Sequence, residues 1–279
     1  MPELPEVETV CRGLRARILG RSIVRVMVRT SDVLHMAQPD VAAFTKVLTG
    51  TYIEAIMRRG KYILFALAKE GKKLWLLCHL RMTGKLLVRK ADDAPEKHTH
   101  LVFFLDDGQA VHYHDVRRFG GFTLMQEDPF ARPPLAALGP EPLSEAFDAA
   151  TFKARCKGRK RPVKAQLLDQ SVVAGIGNIY ADEILFRAGV RPRKSAARLT
   201  AAECGAIVEA TKDVLQEAIA AGGSTIRDYV DSEAKAGSFQ LAHQVYGRAG
   251  QPCRQCGTTL KSVQVAGRSS VYCPHCQKS

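Results

Sequence analysis

The sequence lacks any apolar run of the roughly 18 residues that a membrane-spanning helix needs, so it predicts no span in a bilayer. It also lacks a basic leader followed by an apolar core. Glu3, Glu6 and Glu8 stand there instead, so we expect no secretory signal and a cytoplasmic protein. In that reducing compartment the eight cysteines are not expected to form disulfides. The chain has no internal repeat and no low-complexity segment.

Acidic residues are scarce relative to basic ones. The chain has 41 Lys and Arg against 28 Asp and Glu, a formal net charge of +13. This surplus favours an anionic partner, either nucleic acid or a membrane surface. The hydrophobic content of 46% is ordinary for a globular protein, so a buried core is expected.

The pattern of apolar residues divides the 279 residues into regions of different character. Residues 1–128 predict one helix, with Pro5 in its first turn, followed by short strands typical of a sandwich or barrel. Residues 129–142 are rich in proline and predict a linker. Residues 143–244 predict helices, the clearest of which begins at a capping box of Thr200 and Glu203. Residues 245–279 are too few to form a core of their own.

Two Cys-x-x-Cys pairs lie in this last region, separated by 16 residues: Cys253 with Cys256, and Cys273 with Cys276. Each pair suits one edge of a tetrahedral zinc site, and the interval is long enough for a hairpin to bring the pairs together. Two unrelated dithiols are the alternative, but so small a segment needs a staple to fold. Four thiolates leave no open coordination position, so the predicted zinc is structural.

The same region carries five basic residues and no acidic one, which favours nucleic acid over a membrane as the partner. Residues 153–164 add seven basic residues in twelve, although a solvated charged face would have the same composition. Further on, Gly175-Ile176-Gly177-Asn178 separates two apolar stretches. Such a turn exposes backbone N–H groups at a helix start and suits a phosphate, although a tight helix connection would also use glycine.

A series of short stretches follows along the chain: "PELPEVETV" (2–10), "HLRMTGKL" (79–86), "DVRRFG" (115–120), "GIGNIYADEILF" (175–186), "GGSTIRDY" (222–229) and "VYGRAGQPC" (245–253). With the four cysteines, they resemble the landmarks of the bacterial formamidopyrimidine-DNA glycosylases. The resemblance covers essentially the whole chain. It implies a multidomain α+β fold with an N-terminal helix plus β-sandwich, a helix–two-turns–helix domain and a C-terminal zinc finger.

The resemblance also implies a function. The enzyme would be a monomeric, bifunctional DNA glycosylase and lyase that excises oxidised purines from duplex DNA, with one zinc ion and no organic cofactor. After removal of Met1, the amine of Pro2 would attack C1′ of the damaged nucleotide, and an exposed Pro2 is therefore expected. Glu3 would supply or shuttle protons, Lys61 in "RRGKY" would act near the sugar phosphate, and Arg268 would serve the second elimination.

The remaining residues carried over from the family are DNA contacts. His98, Lys160 and Asn178 match contacts to the DNA backbone, as do His79 and Lys164 more loosely. Met82, Arg117 and Phe119 match a trio that fills the gap left by the flipped nucleotide. Apolar wedges and an arginine that pairs with the orphaned base suit that role, whereas core or hairpin packing would be the ordinary use of Met82 or Phe119 alone.

Three features depart from the family or leave alternatives open. Cys11 replaces an arginine, and Ala234 and Ala236 stand in the loop that would cap the extruded base, where glycine and proline are frequent. No role is assigned to Cys78, Cys156 or Cys204. One alternative function is excision of oxidised pyrimidines, as by the endonuclease VIII enzymes. The other is a non-catalytic zinc-containing DNA-binding protein, which would not need Pro2 and Glu3.

Overall fold

The structure is a computed structural model that describes residues 1–35, 40–224, 232, 234 and 237–278. It contains two compact units, each discontinuous in sequence: residues 1–136 with 221–238, and residues 137–220 with 239–279. The predicted domain boundaries near residues 128, 142 and 244 stay a prediction. Within the described ranges, none of the helices combines the length and apolarity that crossing a membrane would take.

Among its described residues, the first unit contains two α-helices and one antiparallel sheet. Helix α1 spans Leu4–Ile18 and helix α2 spans Val41–Leu48. The strands are β1 Ser22–Val28, β2 Thr51–Arg59, β3 Tyr62–Lys69, β4 Lys72–His79, β5 Lys85–Lys90, β6 Thr99–Leu105, β7 Gln109–His114 and β8 Gly121–Met125. Their order in the sheet is β5-β7-β6-β1-β2-β3-β4-β8. The apolar face of α1, predicted from its 3.6-residue period, packs with residues of every strand into one core.

The second unit consists of helices and a two-stranded hairpin. Its helices are α3 Ala149–Cys156, α4 Val163–Leu168, α5 Asn178–Arg187 and α6 Ala201–Ala220, and its strands are β9 Lys261–Val265 and β10 Arg268–Tyr272. The capping box of α6 is confirmed: the Thr200 N–H donates to the Glu203 carboxylate at 2.9 Å, and the Glu203 N–H donates to the Thr200 hydroxyl at 3.1 Å.

The prediction of a four-residue turn between two apolar helical stretches is wrong. Helix α4 ends at Leu168, and nine non-helical residues precede α5. The side chain of Asp169 accepts from the Ser171 N–H at 2.9 Å and the Ser171 hydroxyl at 2.7 Å, which ends the helix. The side chain of Gln170 then bridges the turn, because it donates to the carbonyl of Ile176 and accepts from the N–H of Gly175.

Candidate functional site

The buried carboxylate of Glu6 holds the start of the chain. It accepts from the Glu3 N–H at 2.8 Å and from the Ser224 N–H at 2.7 Å. A Cβ at Gly223, where φ is +81°, would lie 2.8 Å from the same carboxylate, so only glycine permits this approach. The expectation of an exposed Pro2 is wrong for the chain that keeps Met1, because Pro2 is buried whereas Met1 is 49% exposed.

Lys61 lies in the turn between β2 and β3, and its side chain is buried. Arg58, just before this turn, donates to the Gly60 carbonyl at 3.1 Å and to the Glu8 carboxylate of α1 at 3.0 Å. Burial pushes the pKa of Glu8 up, but Arg58 and Arg15 outweigh it and hold that pKa below its ordinary value. The charged Glu8 therefore ties the lysine-bearing turn to the first helix.

The histidines carried over from the family differ in exposure. His79 is buried, and burial, followed by the charges of Arg81 and Lys61, lowers its pKa to about 3, so its ring is neutral. Its Nδ1 accepts from the Arg81 N–H at 2.9 Å. His98 is half-buried, and its carbonyl accepts from the Asp115 N–H at 3.0 Å.

Met82, Arg117 and Phe119 are brought together at the surface of the first unit, although three strands, β5, β6 and β7, separate Met82 from the other two along the chain. Met82 is 44% exposed and Phe119 is 51% exposed. The guanidinium of Arg117 lies over the Phe119 ring, 4.4 Å from its centroid, and one of its nitrogens lies 3.0 Å from the sulfur of Met82. Two exposed apolar side chains in contact with an arginine form a wedge that is not part of the core.

A single buried carboxylate, that of Asp115, holds both loops that carry this wedge. Its Oδ1 accepts from the Thr83 hydroxyl, next to Met82, and from the Arg117 N–H at 3.2 Å. Its Oδ2 accepts from the Tyr113 hydroxyl at 3.1 Å and from the Gly120 N–H at 2.9 Å. Sequence reasoning assigned nothing to this residue. An aspartate directly after a buried strand was the available signal.

In the second unit, Arg268 is exposed and follows a two-residue turn of Ala266 (φ +50°) and Gly267 (φ +70°), the turn that suits a tight hairpin. The amide nitrogen of Asn178, at the start of α5, donates to the Ser269 carbonyl at 3.2 Å, so Asn178 lies beside the residue that follows Arg268. Lys160 is exposed in the loop before α4.

Lys164, by contrast, is fully buried. Its Nζ lies 2.7 Å from the carboxylate of Asp182 and donates to the Ser269 carbonyl at 3.0 Å. Asp182 also accepts from the Ser270 hydroxyl at 2.6 Å and from the Val271 N–H at 3.0 Å. Burial raises the pKa of Asp182, against the opposing effect of Lys164. This ion pair fixes the β10 strand, and with it Arg268, to helices α4 and α5.

The neighbouring Glu183 holds the chain as it enters the cysteine region. Its carboxylate accepts from the backbone N–H groups of Gln244 at 2.8 Å, Val245 at 3.0 Å and Tyr246 at 2.8 Å. Sequence analysis missed both acids. Two adjacent carboxylates inside the apolar stretch "IYADEILF" were the signal, since buried acids need partners.

The four predicted zinc ligands converge. All four sulfur atoms lie within 4.8 Å of one another, with Cys256 and Cys273 3.5 Å apart and Cys253 and Cys276 4.0 Å apart. A tetrahedral site with Zn–S bonds of about 2.3 Å has edges of about 3.8 Å, so the cluster fits zinc. These cysteines form a structural zinc site, and three of them, Cys253, Cys273 and Cys276, pack with an apolar cluster of Phe186, Val245, Leu260 and Val271.

The second unit combines helices with a four-cysteine finger, and the sheet unit carries an exposed wedge. Together these features are typical of the class of zinc-containing DNA-repair glycosylases. Three family models match the chain in this order. They are the formamidopyrimidine-DNA glycosylase N-terminal domain over residues 1–122, the H2TH domain of the same enzymes over 138–230, and the zinc finger found in FPG and IleRS over 250–278.

Whole-length relatives agree. The chain is 46% identical to a formamidopyrimidine-DNA glycosylase of Desulfitobacterium hafniense, with 99% of this chain and 100% of the relative covered. It superposes with a TM-score of 0.91, at 38% identity and full coverage of both chains, on a mutant of Lactococcus lactis FPG in complex with Fapy-dG-containing DNA. It superposes with a TM-score of 0.90, at 37% identity and full coverage of both chains, on the wild-type Lactococcus lactis enzyme with DNA containing an oxidised pyrimidine. The chain belongs to the formamidopyrimidine-DNA glycosylase family, and it is a base excision repair enzyme with glycosylase and lyase activity.

Proposed function

We propose that the protein binds duplex DNA containing a damaged base and excises oxidised purines, 8-oxoguanine and formamidopyrimidines, through a covalent bond to Pro2. The observation that carries this proposal is the Glu6 carboxylate, which fixes the backbone N–H of Glu3 and thereby the residue attached to Pro2. The relatives' names support the substrate class.

In the proposed mechanism, removal of Met1 leaves Pro2 with a secondary amine. Its lone pair attacks C1′ of the damaged nucleotide, the bond from C1′ to the base breaks, and the base leaves with that electron pair and takes up a proton. Glu3 supplies or relays protons to the sugar ring oxygen. Once the ring oxygen is protonated, the bond from C1′ to that oxygen breaks and the proline nitrogen gives up its proton, which leaves an iminium. The iminium acidifies the C2′ proton, whose loss expels the 3′ phosphate. Loss of the C4′ proton in a second elimination then expels the 5′ phosphate.

The other predicted residues, except His79 and Lys164, keep their expected roles in this proposal. Lys61 acts near the sugar phosphate from a turn tied to α1, and Arg268 grips phosphates from an exposed hairpin tip. His98, Lys160 and Asn178 contact the DNA backbone. His79 and Lys164 are buried, so their part in backbone binding is to support Arg81 and the Ser269 carbonyl, respectively.

The wedge of Met82, Arg117 and Phe119 would enter the space that the flipped nucleotide leaves, with Arg117 paired to the orphaned base. We assign Asp115 as a positioning residue for this wedge, because it acts through the two loops and touches no substrate. The loop expected to cap the extruded base, including Ala236, lies largely outside the described residues.

The proposal extends to organisation and location. The chain acts as a monomer in the cytoplasm, without membrane association and without an organic cofactor. Its working domains are residues 1–128, 143–244 and 245–279, joined by the linker 129–142. The basic surplus of +13 supports a polyanionic partner.

Excision of oxidised pyrimidines is a second candidate activity. The observation in its favour is the Lactococcus lactis relative solved with DNA that contains an oxidised pyrimidine. Single-turnover excision from duplexes that carry either 8-oxoguanine or an oxidised thymine opposite the normal partner base would rank the two substrates.

The decisive experiment traps the covalent intermediate with borohydride on a duplex with 8-oxoguanine opposite cytosine. Peptide mapping should place the DNA adduct on Pro2. A protein with one residue added before Pro2 should bind DNA but neither excise nor trap, because an amide nitrogen cannot form the iminium. The Glu3→Gln variant should keep the amine yet lose most excision. An adduct on Lys61, or excision by the blocked protein, would refute the mechanism.

A further inference from the structure

The second unit contains a basic pocket that no predicted role uses. Its volume is about 630 Å³. It lies between the loop that follows α5 and the β9–β10 hairpin, and it is lined by Arg191, Pro192, Arg193, Lys194, Ser195, Arg198, Val263 and Tyr272.

The cations of this basic pocket differ in how far they are already paired. Arg191 donates to two carbonyls, those of Gln277 and Pro274, each at 2.9 Å. Lys194 is paired with Glu203 at 2.6 Å. Arg193 is exposed and donates to the Gln264 carbonyl at 3.3 Å.

Arg198 is the most available cation. It is exposed, and in the part of the chain that the structure describes no carboxylate or carbonyl accepts from its side chain. The pocket thus presents four positive charges against one carboxylate, with the Ser195 and Tyr272 hydroxyls as neutral donors. Arginine forks and hydroxyls of this kind recognise the oxygens of phosphate.

Two of the proposed DNA contacts lie near the basic pocket. The backbone on either side of Lys160 pairs with the segment between the lining residues Ser195 and Arg198, because the Ala196 N–H donates to the Arg161 carbonyl at 3.0 Å and the Ala197 N–H donates to the Arg159 carbonyl at 2.9 Å. On the other wall, Tyr272 is four residues from Arg268 along β10. Side chains alternate along a strand, so the two share a face and lie about 13 Å apart.

From this arrangement we infer that the basic pocket is a phosphate-binding subsite with Arg198 as its main ligand. The phosphate is either a further phosphate of the DNA backbone, additional to those that Arg268 and Lys160 hold, or the phosphate of a free nucleotide. The inference deepens the proposed function and rests on it for the DNA source.

The test compares Arg198→Gln with Lys212→Gln, which removes one charge from α6, about three turns beyond its start. The dissociation constant is measured against salt for two duplexes that contain a stable abasic analogue. One is about one helical turn long and the other about two and a half turns. If the pocket takes a backbone phosphate distant from the lesion, Arg198→Gln should reduce the log–log slope by about 0.9 on the long duplex. The slope on the short duplex should not change, and Lys212→Gln should leave both slopes unchanged.

Calorimetry with adenosine diphosphate forms the second arm. If the wild type binds adenosine diphosphate, Arg198→Gln abolishes this binding and the salt slopes for DNA do not change, the subsite is supported with a free nucleotide as its ligand. A reduced slope on both duplexes also supports it and places the phosphate close to the lesion. Unchanged slopes without nucleotide binding, or equal slope losses for Lys212→Gln, overturn the inference. Borohydride trapping by the wild type tests the Pro2 mechanism separately, since its failure would leave these slopes unaffected.

Discussion

Replacing Asp115 with asparagine should slow the flipping of the damaged base out of the duplex and leave the strand cleavage that follows nearly unchanged. The side chain keeps its shape, but one of its two acceptor oxygens becomes an NH₂ donor. Four donors now face it: the hydroxyls of Thr83 and Tyr113 and the N–H groups of Arg117 and Gly120. The hydroxyls can rotate to accept, whereas a backbone N–H cannot. Either the buried Gly120 N–H therefore loses its partner, or the Arg117 N–H loses the carboxylate and keeps only the Thr83 hydroxyl, at 3.2 Å.

The size of the effect follows from these contacts. An unsatisfied buried N–H costs about 1–3 kcal/mol, and hydrogen bonds to a charged group are worth about 1.5–3 kcal/mol each. We therefore expect the wedge loops to be destabilised by about 2–4 kcal/mol. If about 1.4–2.7 kcal/mol of this appears in the barrier to eversion, excision of a paired 8-oxoguanine falls about 10- to 100-fold.

Single-turnover assays on two substrates separate positioning from general damage. Excision of paired 8-oxoguanine should fall in the Asp115→Asn enzyme, whereas cleavage at a preformed abasic site, with no base to flip, should change little. The matched control is Asp107→Asn, since Asp107 accepts from the Gln109 N–H at 3.1 Å and the Gln109 side-chain amide at 2.7 Å, in the turn at the opposite end of β7 from the wedge loop. Equal losses on both substrates, or none on either, would refute the positioning role.

The remaining predictions concern the zinc site, the opposite base and the buried ion pair. Cys256→Ser should lose zinc, measured by metal analysis, and weaken DNA binding because the hairpin that carries Arg268 unfolds; normal binding without zinc would contradict this. Arg117→Ala should lower the preference for cytosine over adenine opposite the lesion by about 1–3 kcal/mol, measured as a ratio of excision rates, and an unchanged ratio would remove Arg117 from base reading. Lys164→Met should destabilise the protein by about 3–5 kcal/mol at neutral pH in denaturant unfolding, because Asp182 keeps a buried charge. This loss should shrink as pH falls, since protonation of Asp182, whose pKa is already raised, removes that charge; a loss independent of pH would argue against the ion pair as its cause.

Local signals predicted several elements correctly. Helix α1 follows a 3.6-residue apolar period with Pro5 in its first turn, and the capping box starts α6. The sequence analysis did not identify β2, β5, β8 or α2. Strand β5, for instance, has only six residues, and it pairs with β7, which comes later in the chain, after β6. Short segments of this kind acquire their conformation from partners that local propensity does not reveal.

The amino-acid sequence was enough to predict the zinc ligands, because two Cys-x-x-Cys pairs at that spacing suit one tetrahedral site, and to predict the family, through ordered stretches that span the chain. How the wedge and the hairpin are held became visible only in the folded chain. Asp115 joins residues about 30 positions apart in sequence, as its bond to Thr83 shows, and Asp182 reaches the hairpin across nearly 90 positions. A buried carboxylate takes its role from the donors around it, and those donors are assembled only when the chain folds.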